Sequence, residues 1–567
     1  METPATCGKA AAARLPWSGR SAWKAHRTGA PSPPTGEPQV FDAGQRDRAG
    51  LFNTLAWWPG WVVAALGFGA YLTLALRDWR AMEAPSWDLA IFTQAIKGYA
   101  NFGAPIVDIK GPGSVQLGDH FSPLLVLFAP AYRLFPSPAT LLVAQCLLVA
   151  VSAAPIAGLA RRLIGPEAAL CLATAYVLSW GLQTGVKSQF HEYCLAAPLL
   201  AMALVWLVEG HWRAAAWCSA LLIGVKEDLG FTACAIGCLM IVLASPPSEG
   251  RAGRAFARWW ARLRSRGPAP GAQDPPARAA HVGKVAERTG GVIVPPDGRR
   301  VGVWLAAGSL VAALLVLAVV VPLFSQAGQW EYWSRLPEPE GSLWARIGSV
   351  FVPAEKWRTL GLLVAVVAGV ALFSPISLLA LPTLAWRFTS PNESYWVTDW
   401  HYSMILMPIV FIAAVAVLGR WWRAPRALMR WPARAAPVAM LAVAVALIPS
   451  FPLGSLLRPG AFDLPEKVVA AEPVLALIPP GTSVASDYGL ISRLAADRTV
   501  YWLGQDLGSI APDYVLIDSL ASWNSPPTDP AAYAEGLYGE DYVNIYPTEG
   551  PPAASRFRLA ARVGRLE

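Results

Sequence analysis

Charged side chains are scarce in this 567-residue sequence: Asp, Glu, Lys and Arg make up 15% of it, against 54% apolar residues. Water-soluble domains carry about 25% charge, so an ordinary globular enzyme is excluded. The apolar residues fall in blocks too long and too uniform for core helices, and the mean hydropathy is +0.39. The composition therefore predicts a polytopic α-helical membrane protein. Disulfide and zinc spacings are missing as well. Of seven cysteines, Cys7 lies in the N-terminal tail, and Cys146, Cys171, Cys194, Cys218, Cys234 and Cys238 fall inside apolar runs, where they act as small hydrophobes. The first 50 residues contain no short apolar core with a small-residue cleavage site. No signal peptide is expected, and the first span should serve as an uncleaved anchor. No internal repeat is visible.

What charge there is has a direction. The net charge is +8, yet residues 1–50 hold seven basic and four acidic side chains, 245–300 hold eleven and four, and 451–567 hold eight and fourteen. A membrane imposes such asymmetry by retaining basic loops in the cytoplasm, so nucleic-acid binding is not needed to explain the surplus. Spans are predicted at 57–76, 139–160, 167–183, 194–209, 213–226, 229–244, 301–324, 359–374, 375–386, 403–419 and 435–451. These make about eleven crossings of a bacterial plasma membrane, with the N-terminus cytoplasmic and the C-terminus outside. Arg161-Arg162, the His211-Trp212-Arg213 turn, the basic linker and Arg420 to Arg434 then all lie inside. Residues 359–386 read as a tight hairpin or re-entrant pair broken at Ser374-Pro375. Residues 121–135 read as an interfacial helix with Ser122 as N-cap, and Ser137-Pro138 repeats the same start signal.

Five regions follow. They are a disordered cytoplasmic tail (1–50), a first transmembrane module (51–244) with an extracytoplasmic loop at 77–138, a disordered basic cytoplasmic linker (245–300), a second transmembrane module (301–450), and an extracytoplasmic α/β domain (451–567). In the last, a helix near 464–477, the turn Pro479-Pro480-Gly481 and strand-like runs at 499–503 and 514–517 carry the reading.

Ionisable groups at the bilayer are costly, so the few that remain are the candidate site. Trp87-Asp88, Gly118-Asp119-His120, Phe190-His191-Glu192, Lys226-Glu227-Asp228 and Asp399-Trp400-His401-Tyr402 all sort to the outer side. Each also has a structural explanation. Asp88, Glu192, Glu227 and Asp228 suit helix starts, Lys226 suits a helix end, Asp119 or His120 would cap the interfacial helix, and His401 and Tyr402 would anchor at the interface. Convergence of several such groups from separate spans favours function.

The succession Trp87-Asp88-Leu89-Ala90-Ile91-Phe92, Leu117-Gly118-Asp119-His120-Phe121-Ser122-Pro123, Phe190-His191-Glu192 and Val225-Lys226-Glu227-Asp228 resembles the predicted membrane proteins of domain of unknown function 2079. That family is similar in layout to the GT-C superfamily of membrane glycosyltransferases, an analogy of architecture. The resemblance implies a sugar on a polyprenyl phosphate as donor, an acidic residue in the first outside loop acting on the acceptor (Asp88 by position), and an extracytoplasmic C-terminal domain. Such chemistry needs a base for the acceptor hydroxyl and positive charge near the leaving phosphate. Asp88, with Asp119 and Lys226, would form the catalytic group, and Glu227, Asp228, His401 and Tyr402 would face the substrate. A divalent metal (Mn, Mg or Zn) held by Asp119, His120, His191 and Glu192 is an alternative to Lys226 at the phosphate. The competing functional classes are a transporter or lipid flippase, and a non-catalytic envelope protein.

Overall fold

The structure is a computed structural model. It describes residues 55–83, 86–245, 292–330, 352–425, 427–521, 525–548 and 555–565, with Tyr332, Gly348 and Gly550, and these belong to one compact unit. The tail 1–50 and most of the linker 245–300 lie outside the described residues.

The chain is mostly helical. Among the described residues six helices are long and apolar enough to cross a membrane: α1 (Trp58–Arg80), α4 (Pro138–Ile164), α5 (Pro166–Lys187), α9 (Gly298–Phe324), α12 (His401–Trp422) and α13 (Ala427–Ser450). Between them lie α2 (Trp87–Ala100), α3 (Pro123–Leu134), α6 (Tyr193–Glu209), α7 (Trp212–Ala220), α8 (Leu229–Ala244), α10 (Ala354–Ala365) and α11 (Leu381–Thr389). Six of the expected eleven crossings thus have full length. The other five are shorter, because α6 and α8 have only 17 and 16 residues and the run 213–226 leaves the α-helix at Ala220 for a 3-10 turn. Seventeen residues span about 25 Å, under the roughly 30 Å hydrocarbon core. The pair 359–386 forms a hairpin: Lys356 Nζ donates to Phe388 O (2.8 Å) and Thr359 Oγ1 to Trp396 O (2.6 Å), so its two ends meet.

Burial orders the bundle. The apolar window of α12 is 94% buried, whereas those of α9 and α13 are 28% buried, which makes α12 the central helix and gives α9 and α13 outward apolar faces. α8 and α9 approach until their backbones touch: a Cβ on Gly237 would lie 2.4 Å from Ala306 N, and one on Gly302 2.8 Å from Gly237 O. Small residues at such crossings allow dispersion contacts that side chains would block.

The ends of the bundle differ in chemistry. At one end Arg162 at the close of α4 pairs with Glu209 at the close of α6, and Arg213 at the start of α7 meets Asp297 before α9 (2.7 Å). The opposite end holds the starts of α6, α8 and α12, where His191, Lys226 and His401 sit.

The C-terminal part is a five-stranded sheet in the order β2-β1-β3-β5-β4, formed by β1 (Ser483–Ser486), β2 (Thr499–Trp502), β3 (Tyr514–Asp518), β4 (Tyr542–Tyr546) and β5 (Phe557–Arg562). β1 runs parallel to β2 and β3; β5 is antiparallel to β3 and β4. α14 (Glu466–Ala476), α15 (Ile491–Leu494) and α16 (Pro530–Tyr538) cover it. One face of the sheet shares its core with α2: Ala90, Ile91 and Ala95 pack in one cluster with Val484, Leu490, Ile491 and Val500. Gln94 Nε2 donates to Val500 O (3.0 Å) and Lys97 Nζ to Ala495 O (3.0 Å) and Arg498 O (2.9 Å). The first loop is thereby fixed to the C-terminal sheet.

Candidate functional site

Asp88 lies in the first turn of α2. Ser86 occupies the cap position, but its hydroxyl donates to Tyr488 O in the C-terminal part, so the start of α2 is held by the sheet and not by a side-chain cap. The Asp88 carboxylate is 36% exposed, and its Oδ2 stands 3.2 Å from His191 Nε2. Burial works against ionisation of Asp88. The His191 imidazole and its hydrogen bond, then Lys226 and His120, outweigh burial and hold the carboxyl below its ordinary value.

His191 is positioned from α4. Gln145, fully buried in that apolar helix, accepts from His191 N (2.9 Å) and donates to Gln189 O (2.7 Å), locking a turn in which Gln189 has φ +67°. His191 Nδ1 faces Gln189 O at 3.3 Å. Behind it His401 stacks at 3.5 Å between ring centroids, and Tyr402 lies 4.2 Å from His401.

Glu192 turns the other way. Its Oε1 meets Lys226 Nζ at 2.8 Å, and Lys226 also lies over the Tyr193 ring (4.9 Å). Tyr193 OH donates to Asp228 Oδ2 (2.9 Å). Glu227, 2% exposed, binds His120 Nδ1 (2.8 Å) through Oε1 and accepts from Phe121 N (2.9 Å) through Oε2. His120 Nε2 is 2.9 Å from Tyr332 OH. Asp119 pairs with Lys110 (2.5 Å).

All ten expected residues therefore stand at the same end of the bundle, most of them joined in pairs: Asp88 with His191, Glu192 with Lys226, Glu227 with His120. His401 and Glu227 are buried supports, while Asp228 and Tyr402 remain partly exposed. Four participants were not singled out from sequence: Gln145, Lys110, Tyr193 and Tyr332. A lone amide within the apolar run 138–151 was the available signal for Gln145.

Residues 80–546 match the family described as "Predicted membrane protein (DUF2079)". The chain belongs to this family. Three solved structures of an archaeal oligosaccharyltransferase from Archaeoglobus fulgidus show a remote likeness to this DUF2079 chain. The apo form has TM-score 0.39 and 12% identity, covering 84% of this chain and 71% of that one. The complex with Zn and sulfate has TM-score 0.39 and 13% identity over 86% and 72%. AglB with an inhibitory peptide and a dolichol-phosphate has TM-score 0.40 and 13% identity over 87% and 74%. No curated protein matches the chain in sequence.

The expected metal ligands are not gathered at one point in this DUF2079 chain. Asp119 faces Lys110, His120 faces Glu227, His191 faces Asp88 and Glu192 faces Lys226. Among the described residues no three His, Cys, Asp or Glu side chains lie together as a metal ion would require. Four ligands drawn from four separate pairs do not fit one ion.

Proposed function

We propose that this DUF2079 protein is an integral membrane glycosyltransferase of GT-C type, moving a sugar from a polyprenyl-phosphate donor to an acceptor hydroxyl on the extracytoplasmic face. The observation that carries the reading is the Asp88–His191 pair: a partly exposed carboxylate, held ionised, at the mouth of a cluster of buried ionisable groups. Asp88 takes the acceptor hydroxyl proton as the acceptor oxygen bonds to the anomeric carbon, and the carbon–oxygen bond to the phosphate breaks. The leaving polyprenyl phosphate carries off the electron pair. Lys226, with its ammonium between Glu192 and the Tyr193 ring, supplies positive charge toward that phosphate. Asp228 and Tyr402 face the substrate, and Glu227 and His401 hold the walls. In this reading Lys226 serves the phosphate, and transfer should survive a chelator.

The sidedness completes the reading: eleven crossings of a bacterial plasma membrane, N-terminus cytoplasmic, site and C-terminal domain outside. A phosphatase fused to the C-terminus should be active. Asp88→Asn should lower transfer of labelled sugar from extracted polyprenyl-phosphate donors by about 10²- to 10⁴-fold, the usual contribution of a general base. Wild-type rates in Asp88→Asn and His191→Ala would refute it. The succession from the partly exposed Asp88 to the buried His191 and His401 also suits a proton-coupled transporter. Proton-driven uptake into proteoliposomes without sugar transfer would select that reading.

A further inference from the structure

The sheet has a second feature beside Asp88. β1 connects through α15 to β2 on one side, and the chain then crosses to β3 on the other, so the strand order reverses between β1 and β3. In open sheets with parallel strands, ligands bind outside the carboxyl ends at such a reversal. Here that edge is made of Ser486 at the end of β1, Asp487 after it, Trp502 at the end of β2 and Asp518 at the end of β3.

Two carboxylates floor it. Asp487 and Asp518 are 4% and 5% exposed; Asp487 Oδ2 accepts from Asp518 N (2.5 Å), and Asp518 accepts from Arg556 Nε (2.9 Å), Arg556 Nη2 (2.8 Å) and Leu520 N (3.0 Å). Gly489 lies beside both. A Cβ there would lie 3.6 Å from Asp518 Oδ2 and 3.9 Å from Asp487 Oδ1, and its φ is outside the left-handed region. Ser486 Oγ is fully buried without a hydrogen-bond partner, on the same face of β1 as Val484, which is the face packed on α2. Three aromatic rings form the wall: Trp87–Tyr488 at 4.9 Å, Trp87–Trp502 at 5.7 Å and Tyr488–Trp502 at 5.3 Å between centroids. Tyr488 is 39% exposed, and Trp87 is the residue before Asp88.

We infer that this edge is a saccharide subsite, which holds a neutral acceptor sugar against Asp88. The chemistry selects the ligand. Arg556 neutralises Asp518, and carboxylates repel an anion, so the edge suits a neutral ligand. A sugar ring offers an apolar C–H face to the aromatic wall and hydroxyl donors to carboxylate oxygens, and Tyr488 of the wall directly follows Asp487 in the chain. The role as acceptor rests on the glycosyltransferase reading; the binding does not.

The test is binding of neutral oligosaccharides to the purified full-length chain in detergent, first on a glycan array and then by calorimetric titration with the glycan that binds. Binding should weaken by about tenfold or more in Tyr488→Ala and in Gly489→Ala, and persist in Tyr488→Phe, which keeps the ring. Gly489→Ala adds its methyl at ordinary contact distance, so its thermal unfolding should match wild type and separate lost binding from lost fold. Absence of any neutral-glycan binding, or equal binding in both Ala variants, overturns the subsite. Glycan binding without sugar transfer would leave the subsite standing and remove the transferase reading instead.

Discussion

Replacing Glu227 with Ala tests how the site is tied to the bundle. The side chain is 2% exposed and satisfies two groups of the first loop, His120 Nδ1 at 2.8 Å and Phe121 N at 2.9 Å. Truncation leaves the Phe121 N–H without its acceptor, which costs about 1–3 kcal/mol. Breaking a buried charged pair from one side costs about 3–5 kcal/mol in total. Glu227→Gln keeps an acceptor oxygen and loses the charge, so about 1.5–3 kcal/mol is expected. Thermal unfolding in detergent, followed by a thiol-reactive dye, reads this as the rise above the signal of the exposed Cys238, because Cys146 and Cys194 are fully buried.

The pair also fixes a pH window. Burial raises the Glu227 pKa, but His120, Lys226 and the hydrogen bonds bring it below its ordinary 4.5. Burial and Lys226 lower that of His120, while Asp119 and Glu227 bring it above 6.5. The contribution of Glu227 is present above 4.5 and lost as pH falls through its lowered value. That of His120 is present below 6.5 and lost as pH rises through its raised value. The stability gap between wild type and Glu227→Gln should thus be widest between 4.5 and 6.5. The double variant with His120→Ala should be less destabilised than the sum of the singles by about 1.5–3 kcal/mol. Additive single effects with a flat pH profile would refute the pairing.

Gly237→Ala should destabilise by about 1–3 kcal/mol, since its methyl would meet Ala306 N at 2.4 Å and α8 and α9 must part, whereas Gly308→Ala, with nothing within 4 Å, should be neutral. The same dye assay distinguishes them. In the sheet, Asp513 accepts from Ser483 N and Oγ (both 2.9 Å) and from Arg562 Nη2 (3.1 Å), and these bonds outweigh burial and hold its pKa below 3.8. Its stabilisation is present above 3.8 and lost as pH falls through the lowered value. Asp513→Asn should therefore cost about 1.5–3 kcal/mol at neutral pH, and that cost should shrink as pH falls below 3.8, measured as the difference in unfolding between the two proteins.

Sequence was informative wherever one local rule decides the outcome. The start signal at Ser137-Pro138 is realised, with Ala139 N donating to Ser137 Oγ (3.2 Å), and the runs at 499–503 and 514–517 are β2 and β3. The same signal at Ser122-Pro123 is not: Ser122 makes no cap bond and its hydroxyl faces His120 O (3.4 Å), because the loop is held by Glu227 instead. Charge cost alone brought the site residues to one end, since the bilayer penalises each of them separately. Their pairing was beyond reach. Which carboxylate meets which base depends on how α4, α6 and α8 pack, and a shared metal and separate ion pairs draw on identical residue types.

The most consequential contact was also the least legible. Asp88 belongs by sequence to the first loop of a membrane module, yet the helix that carries it has its apolar residues Ala90, Ile91 and Ala95 in the core of a sheet roughly four hundred residues later. Gln94 and Lys97, polar residues on the same helix, complete backbone bonds at β2 and just after α15. His191 and Gln145, on the other side of the carboxylate, belong to the bundle. The carboxylate thus sits where two bodies meet, its backbone set by the sheet and its partner set by the membrane helices. A substitution in the β1 or β2 edge should shift Asp88 relative to His191, so the C-terminal part acts as a positioning element of the site and not as an appendage to it.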